Sequence, residues 1–148
     1  MFFLSLPVNY ESNEYKFYKT LNEDVEIKPI SPTAQHWDIQ MENGDYVNVA
    51  GLESLKNAII IAIMTRFNEI SDIPLYDKFG CRIHDLVKST FTEMVGYEME
   101  VFIKETLEKI RRIKEVHNVE IIETGEFYKI SFGVTAINEE IVTGSVII

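Results

Sequence analysis

Apolar positions recur at helical spacing from Leu52, through Leu55 and Ile59, to Ile63, and every residue over 58–64 is apolar. This pattern predicts a helix over 51–67 whose later half is buried on several sides. A second stripe, Val95, Met99, Phe102, Ile103, Leu107, Ile110 and Ile113, predicts a long helix over 92–114. Thr90 and Glu93 have capping-box spacing at its start. Glu100 with Lys104, Glu105 with Lys109 and Glu108 with Arg112 stand four apart, acid first, the favourable order on a helix. Arg111, Arg112 and Lys114 suit the negative end of its dipole, and His117-Asn118 is where this helix is expected to stop.

Elsewhere the period is two. Trp37, Ile39 and Met41 alternate with polar neighbours, and Asn43-Gly44 follows. Both turn residues tolerate positive φ, so a two-residue hairpin is predicted, with Tyr46 and Val49 on the return strand. Residues 119–122 predict a short strand and Gly125 a turn. Tyr128, Ile130, Phe132, Val134 and Ala136 then alternate with Lys129, Ser131, Gly133 and Thr135, the pattern of a half-buried antiparallel strand. Asn138-Glu139-Glu140 turns the chain into a last strand over 141–148. That run has neither charge nor Pro. It is therefore either an inner strand paired on both sides or an edge left unguarded for a partner. Residues 1–33 lack helical periodicity, and Pro29 marks 25–30 as an edge strand or part of an extended arm. Strands, then helices, then strands predict an α+β fold: an N-terminal arm over 1–33, then one domain over 34–148 with two or three helices packed on an antiparallel or mixed sheet.

Between the helical patterns lies a connector over 65–86, TRFNEISDIPLYDKFGCRIHDL, with a short helical pattern from Arg82 to Val87. Loops this long inside a compact domain usually have a task. Its charges are Arg66, Glu69, Asp72, Asp77, Lys78, Arg82, His84 and Asp85, while Pro74, Leu75, Tyr76 and Phe79 can pin it to a core. Glu69, just past a buried helix, is placed to bond exposed backbone N–H groups or an Arg of the loop, with Arg82 an alternative partner.

Composition narrows the function classes. The net charge is -10, and its distribution is uneven: residues 56–114 hold ten Lys/Arg against nine Asp/Glu, the flanks four against fifteen. Phosphate binding needs a basic face, so free nucleic acid is not an expected partner of a chain with this balance. One Cys excludes an intramolecular disulfide. The apolar start, MFFLSLPV, lacks a basic n-region and is interrupted by Pro7, so it does not read as a signal peptide. No run approaches the ~20 residues needed to span a bilayer. Glu69, Asp72, Asp77 and Asp85 could pair for glycoside hydrolysis, and Cys81 with His84 could pair as nucleophile and base. Solvated loop acids and a small core cysteine are the simpler readings. His36, His84 and His117 are too dispersed for a metal site, and no cofactor motif is present.

The connector carries a resemblance. Thr65-Arg66 closing an apolar helix, then Glu69, Pro74, Lys78-Phe79-Gly80-Cys81-Arg82 and Asp85-Leu86, resembles the baseplate-wedge and sheath-initiator family of contractile phage tails. Asn68 stands where that family usually has Gly, and its Glu-Pro-Arg segment is absent, Val87-Lys88-Ser89-Thr90-Phe91 taking its place. This points to the XkdS-like branch of defective prophages. The resemblance implies an α+β fold and a non-enzymatic wedge subunit of a virion or tail-like particle, assembled in the host cytoplasm. Its partners would be other wedge, tube and sheath proteins, with no nucleic acid, membrane or cofactor. It also implies that Arg66, Glu69, Pro74, Phe79, Gly80, Arg82 and Asp85 act structurally or in contacts. A peptidoglycan hydrolase acting during injection and a small regulatory binding domain are the alternatives.

Overall fold

The computed structural model describes residues 23–29 and 37–148. The rest of the expected N-terminal arm, residues 1–22 and 30–33, and His36 lie outside the described residues. The fold is α+β. Three short antiparallel ribbons come first: β1 (Glu23–Val25) with β6 (Asn48–Ala50), β2 (Ile27–Pro29) with β3 (Trp37–Ile39), and β4 (Met41–Glu42) with β5 (Asp45–Tyr46). They meet where Glu26 N–H donates to Val47 O at 2.7 Å, Gln40 N–H to Glu26 O at 2.8 Å and Val47 N–H to Gln40 O at 3.2 Å. The strand entering at 23–29 thus splits the base of the 37–50 hairpin, one half pairing with each leg. The hairpin turns at Asn43 and Gly44, φ 53° and 79°, as its dipeptide requires. Its alternation does not bury a face, however: Ile39, Met41 and Tyr46 are all exposed, and no layer among the described residues covers this ribbon.

α1 (Leu52–Met64) follows, then the connector with a 3-10 turn (Arg82–Asp85), then α2 (Glu93–Glu108). The chain closes with a three-stranded meander, β7 (Ile113–Glu123), β8 (Tyr128–Ala136) and β9 (Ile141–Ile147), in the order β7-β8-β9. α2 packs against β7, and α1 against β9 and α2. Leu55, Ile59 and Ile63 of α1 and Met99, Ile103 and Leu107 of α2 bury completely against Ile130, Val134 and Ala136 of β8 and Val142 and Val146 of β9.

Two expectations at α2 are corrected. Its N-cap is Thr92, whose Oγ1 accepts from Val95 N–H at 3.2 Å; Thr90 lies outside the helix. Its C-terminal end falls at Glu108, and residues 113–118, expected to finish the helix, instead begin an eleven-residue strand. The cause is in the ladder. β7 shifts register between Ile113 and Glu115 and again between Val116 and Asn118. Each shift inserts an extra residue, so the positions facing the helices, Ile113, Val116, Val119 and Ile121, are spaced three, three and two apart. Bulged strand thereby imitates helical period. Arg112, past the helix end, cannot pair with Glu108 along a helix; its Nη1 donates to Ser54 Oγ at 3.2 Å. Among the described residues no ion pair forms within α2.

Candidate functional site

The connector is built from backbone bonds rather than ion pairs. Thr65 ends α1 by donating twice to Ile61 O, from its N–H at 3.0 Å and its hydroxyl at 2.7 Å. The chain then runs through consecutive turns: Glu69 N–H bonds Arg66 O, Ser71 bonds Asn68, Ile73 bonds Ile70, Tyr76 bonds Ile73 and Phe79 bonds Tyr76, all at 3.0–3.3 Å. Its two ends are laced together. Cys81 N–H donates to Thr65 O at 2.9 Å, Phe67 N–H to Cys81 O at 3.2 Å and Asn68 N–H to Phe79 O at 3.1 Å.

The glycine of the Phe79-Gly80 pair is fixed by this lacing. Gly80 has φ 108°, and a Cβ there would lie 2.4 Å from Arg66 O and 2.7 Å from its carbonyl carbon. Both the dihedral and the close approach of two backbones exclude a side chain. Asn68, with φ 62°, takes the left-handed conformation that Asn tolerates better than most residues. Glu69 Oε2 accepts from Arg66 N–H at 3.0 Å, closing the same turn from the side-chain direction. Neither the Arg66 nor the Arg82 guanidinium forms an ion pair with it. The Arg82 guanidinium stacks 4.4 Å from the centroid of Phe67, and Lys109 approaches the same ring at 5.2 Å. Phe79 meets Tyr76 edge-on at 5.4 Å. Pro74 is the second residue of the turn over 73–76. Asp85 is exposed on the 3-10 turn and makes no ion pair among the described residues. The structure thus brings Arg66, Glu69, Phe79 and Gly80 into one knot, sets Arg82 beside it on Phe67, and leaves Pro74 and Asp85 apart.

Two further residues tie the knot to the core. Ile83 is fully buried. His84 Nε2 lies 2.8 Å from Ile63 O, a carbonyl that α1 leaves unpaired near its end. Since a carbonyl only accepts, Nε2 carries the proton. Cys81, weighed with His84 as a nucleophile, sits at the core boundary with its thiol donating to Phe102 O at 3.8 Å. Burial pushes that thiol up, despite the lowering effect of Thr106 beside it. A nucleophilic cysteine needs the opposite. Among the described residues no cluster of His, Cys, Asp and Glu could hold a metal ion, and no described helix is long and apolar enough to cross a membrane.

The second candidate surface is the rim of the meander. β9 pairs with β8 alone among the described residues. The direction of its free groups follows from the ladder. Tyr128 and Ile148 exchange both backbone bonds, at 2.8 and 3.0 Å, and Ala136 N–H bonds Glu140 O at 2.8 Å. With Phe132 opposite Gly144, alternation makes Val142, Gly144 and Val146 the residues bonded to β8. Ile141, Thr143, Ser145 and Ile147 therefore aim their N–H and C=O groups outward. A cleft of about 600 Å3 lies beside this rim, lined by Thr143, Gly144 and Ser145 together with Lys56 and Asn57 of α1 and Trp37 of β3. The sequence could not show which of its two strand readings held here, because edge position depends on sheet order.

No protein-family model and no curated protein matches the chain.

Proposed function

We propose that this protein is a structural component of the baseplate of a contractile tail or related injection particle. In this reading it is a wedge subunit near the tube, without catalytic activity, and it offers the first pairing edge to the sheath. The observation that carries the reading is β9: a strand in unbroken register with β8, with no charge and no Pro, whose outward backbone groups at Ile141, Thr143, Ser145 and Ile147 are unpaired among the described residues. Soluble proteins ordinarily guard such an edge. A strand added there gains backbone bonds of about 0.5–1.5 kcal/mol each, net, so several made together give useful affinity without demanding a particular partner sequence.

The connector supports the same reading. Its Thr-Arg, Glu, Pro and Phe-Gly positions carry the likeness to wedge proteins, and one of these positions and one departure from the pattern have backbone reasons. Gly80 has no room for a Cβ. Asn68, where wedge proteins usually have Gly, has a φ that glycine adopts freely. The test is to tag the chain in the cells that encode it and purify it under native conditions. Tube, sheath and other wedge proteins are expected in fixed proportion. Recovery without any tail protein would sink the proposal, as would clearing of a peptidoglycan suspension by the purified chain.

A further inference from the structure

The seven residues of β9 follow nearly the same order in both directions. On either side of Gly144 stand Thr143 and Ser145, then Val142 and Val146, then Ile141 and Ile147. The strands of an antiparallel pair run in opposite senses. A strand with this symmetry therefore finds its own side-chain order in a second copy of itself. Laid edge to edge about a twofold axis at Gly144, Ile141 falls opposite the second copy's Ile147 and Thr143 opposite its Ser145. Every member of those pairs aims its N–H and C=O outward from β8, so each pair exchanges both backbone bonds. Gly144 meets its own counterpart at the narrow step between them, where opposed backbones approach to about 4.5 Å. The side chains match as well. Ile141, 66% exposed in the single chain, gains an isoleucine as its cross-strand neighbour, and Thr143 gains a serine hydroxyl.

We propose that two copies of this chain pair β9 to β9, antiparallel about Gly144, and form a twofold dimer. Its sheet runs unbroken through both copies, three strands from each. The strand itself selects this occupant. β9 has no charged side chain with which to choose among partners; what it offers is the order of its side chains, and that order complements itself. The net charge of -10 on each chain opposes association, so an interface between copies must lie where like charges are not brought together, and this strand meets that condition. The charge nearest the axis is Lys56, whose Cε would lie 3.0 Å from a Cβ at Gly144; its flexible stem lets the ammonium stay in water. Assembly stops at two. A twofold contact consumes both β9 edges, and β7, with its bulges and charges, resists a further strand. The pairing uses the open edge of β9 and does not need the baseplate reading, which is decided separately by co-purification with tail proteins. In the free protein the second copy guards the edge, and any other strand docking there must displace it.

The test uses the full chain. Sedimentation from about 1 µM to about 1 mM, the span suited to an interface of one strand edge, should show a monomer becoming a dimer and nothing larger. Across that range the amides of Thr143, Ser145 and Ile147 should slow in deuterium exchange by about tenfold or more. Two variants on exposed side chains then fix the register. Thr143→Glu and Ser145→Lys each bring like charges together across the axis, and each should weaken the dimer by about tenfold or more. Mixed in equal amounts, the two variants should dimerise with each other, because the new carboxylate at 143 falls opposite the new ammonium at 145. That recovery also shows that neither variant is misfolded. The proposal is overturned if the parent chain stays monomeric throughout or forms species larger than a dimer. Dimerisation of either variant alone at the parent's strength overturns it, as does a mixture that stays monomeric. So does slow exchange at Thr143, Ser145 and Ile147 in the dilute monomer, which would mean that another segment of the same chain covers the edge.

Discussion

The two outer strands of the meander face the same hazard and meet it in opposite ways. β7 runs for eleven residues, bends at two register shifts and carries Lys114, Glu115, His117, Glu120 and Glu123. β9 runs for seven residues, keeps a continuous register with β8 and has no charged side chain. Bulges and charges discourage a further strand, whereas a regularly paired, uncharged strand invites one. Both flank the same inner strand, so the difference does not come from the core they share. Among the described residues both edges of the sheet are unpaired, but only the β7 edge carries bulges and charges against a further strand.

The bluntest way to break the comparison is to damage the framework under both edges. Gly80→Ala would drive a Cβ to 2.4 Å from Arg66 O at φ 108°, and a loss of about 3 kcal/mol is expected in urea unfolding. An unchanged midpoint would mean that the connector does not clamp α1 to the 3-10 turn. Val146→Pro comes next. Its N–H faces β8 and its side chain is buried, so a loss of about 3 kcal/mol is expected although the strand is an edge.

Thr143→Pro sharpens the contrast, because the same residue type moves to an N–H that faces outward. Stability should change by only about 0.5 kcal/mol, while sheath assembly on the baseplate fails. If Thr143→Pro and Val146→Pro destabilise equally, the assignment of inward and outward groups is wrong. If Thr143→Pro particles assemble normal sheath, β9 is not the template. The gentlest change moves a β7 guard onto β9. Thr143→Lys should leave the unfolding midpoint within about 0.5 kcal/mol of the parent and reduce, without abolishing, sheath initiation. Electron microscopy of tails would count the fraction left unsheathed.

What was legible in the sequence was local. Asn43-Gly44 specified its turn, β8 declared itself by alternation, and β9 was read from the Asn138-Glu139-Glu140 turn before it. The first half of β7 was hidden because its bulges give Ile113, Val116 and Val119 a spacing of three, which continues the stripe of α2 without a break. Thr90 offered a capping box by spacing, but the chain enters the helix two residues later, and a single hydroxyl bond from Thr92 does the capping. The connector was visible as an ordered charged loop. Of the two partners expected for Glu69, a backbone N–H or an Arg side chain, it takes the first, Arg66 N–H, and backbone lacing holds the rest. The need for glycine at Gly80 arises from a strand crossing fourteen residues away at Arg66. The role of His84 arises from a helix end twenty-one residues away. Neither leaves a local mark.

The alternation along β9 has a consequence for how the protein reports on its own occupancy. Amides of Val142, Gly144 and Val146 are sealed against β8 and should exchange with solvent deuterium only when the sheet opens. Those of Thr143, Ser145 and Ile147 point outward and should exchange freely. The strand therefore writes a comb of slow and fast positions, one residue apart, into its own isotope pattern. A chain docking at the rim would fill in the fast teeth alone, and a chain binding elsewhere would leave the comb intact.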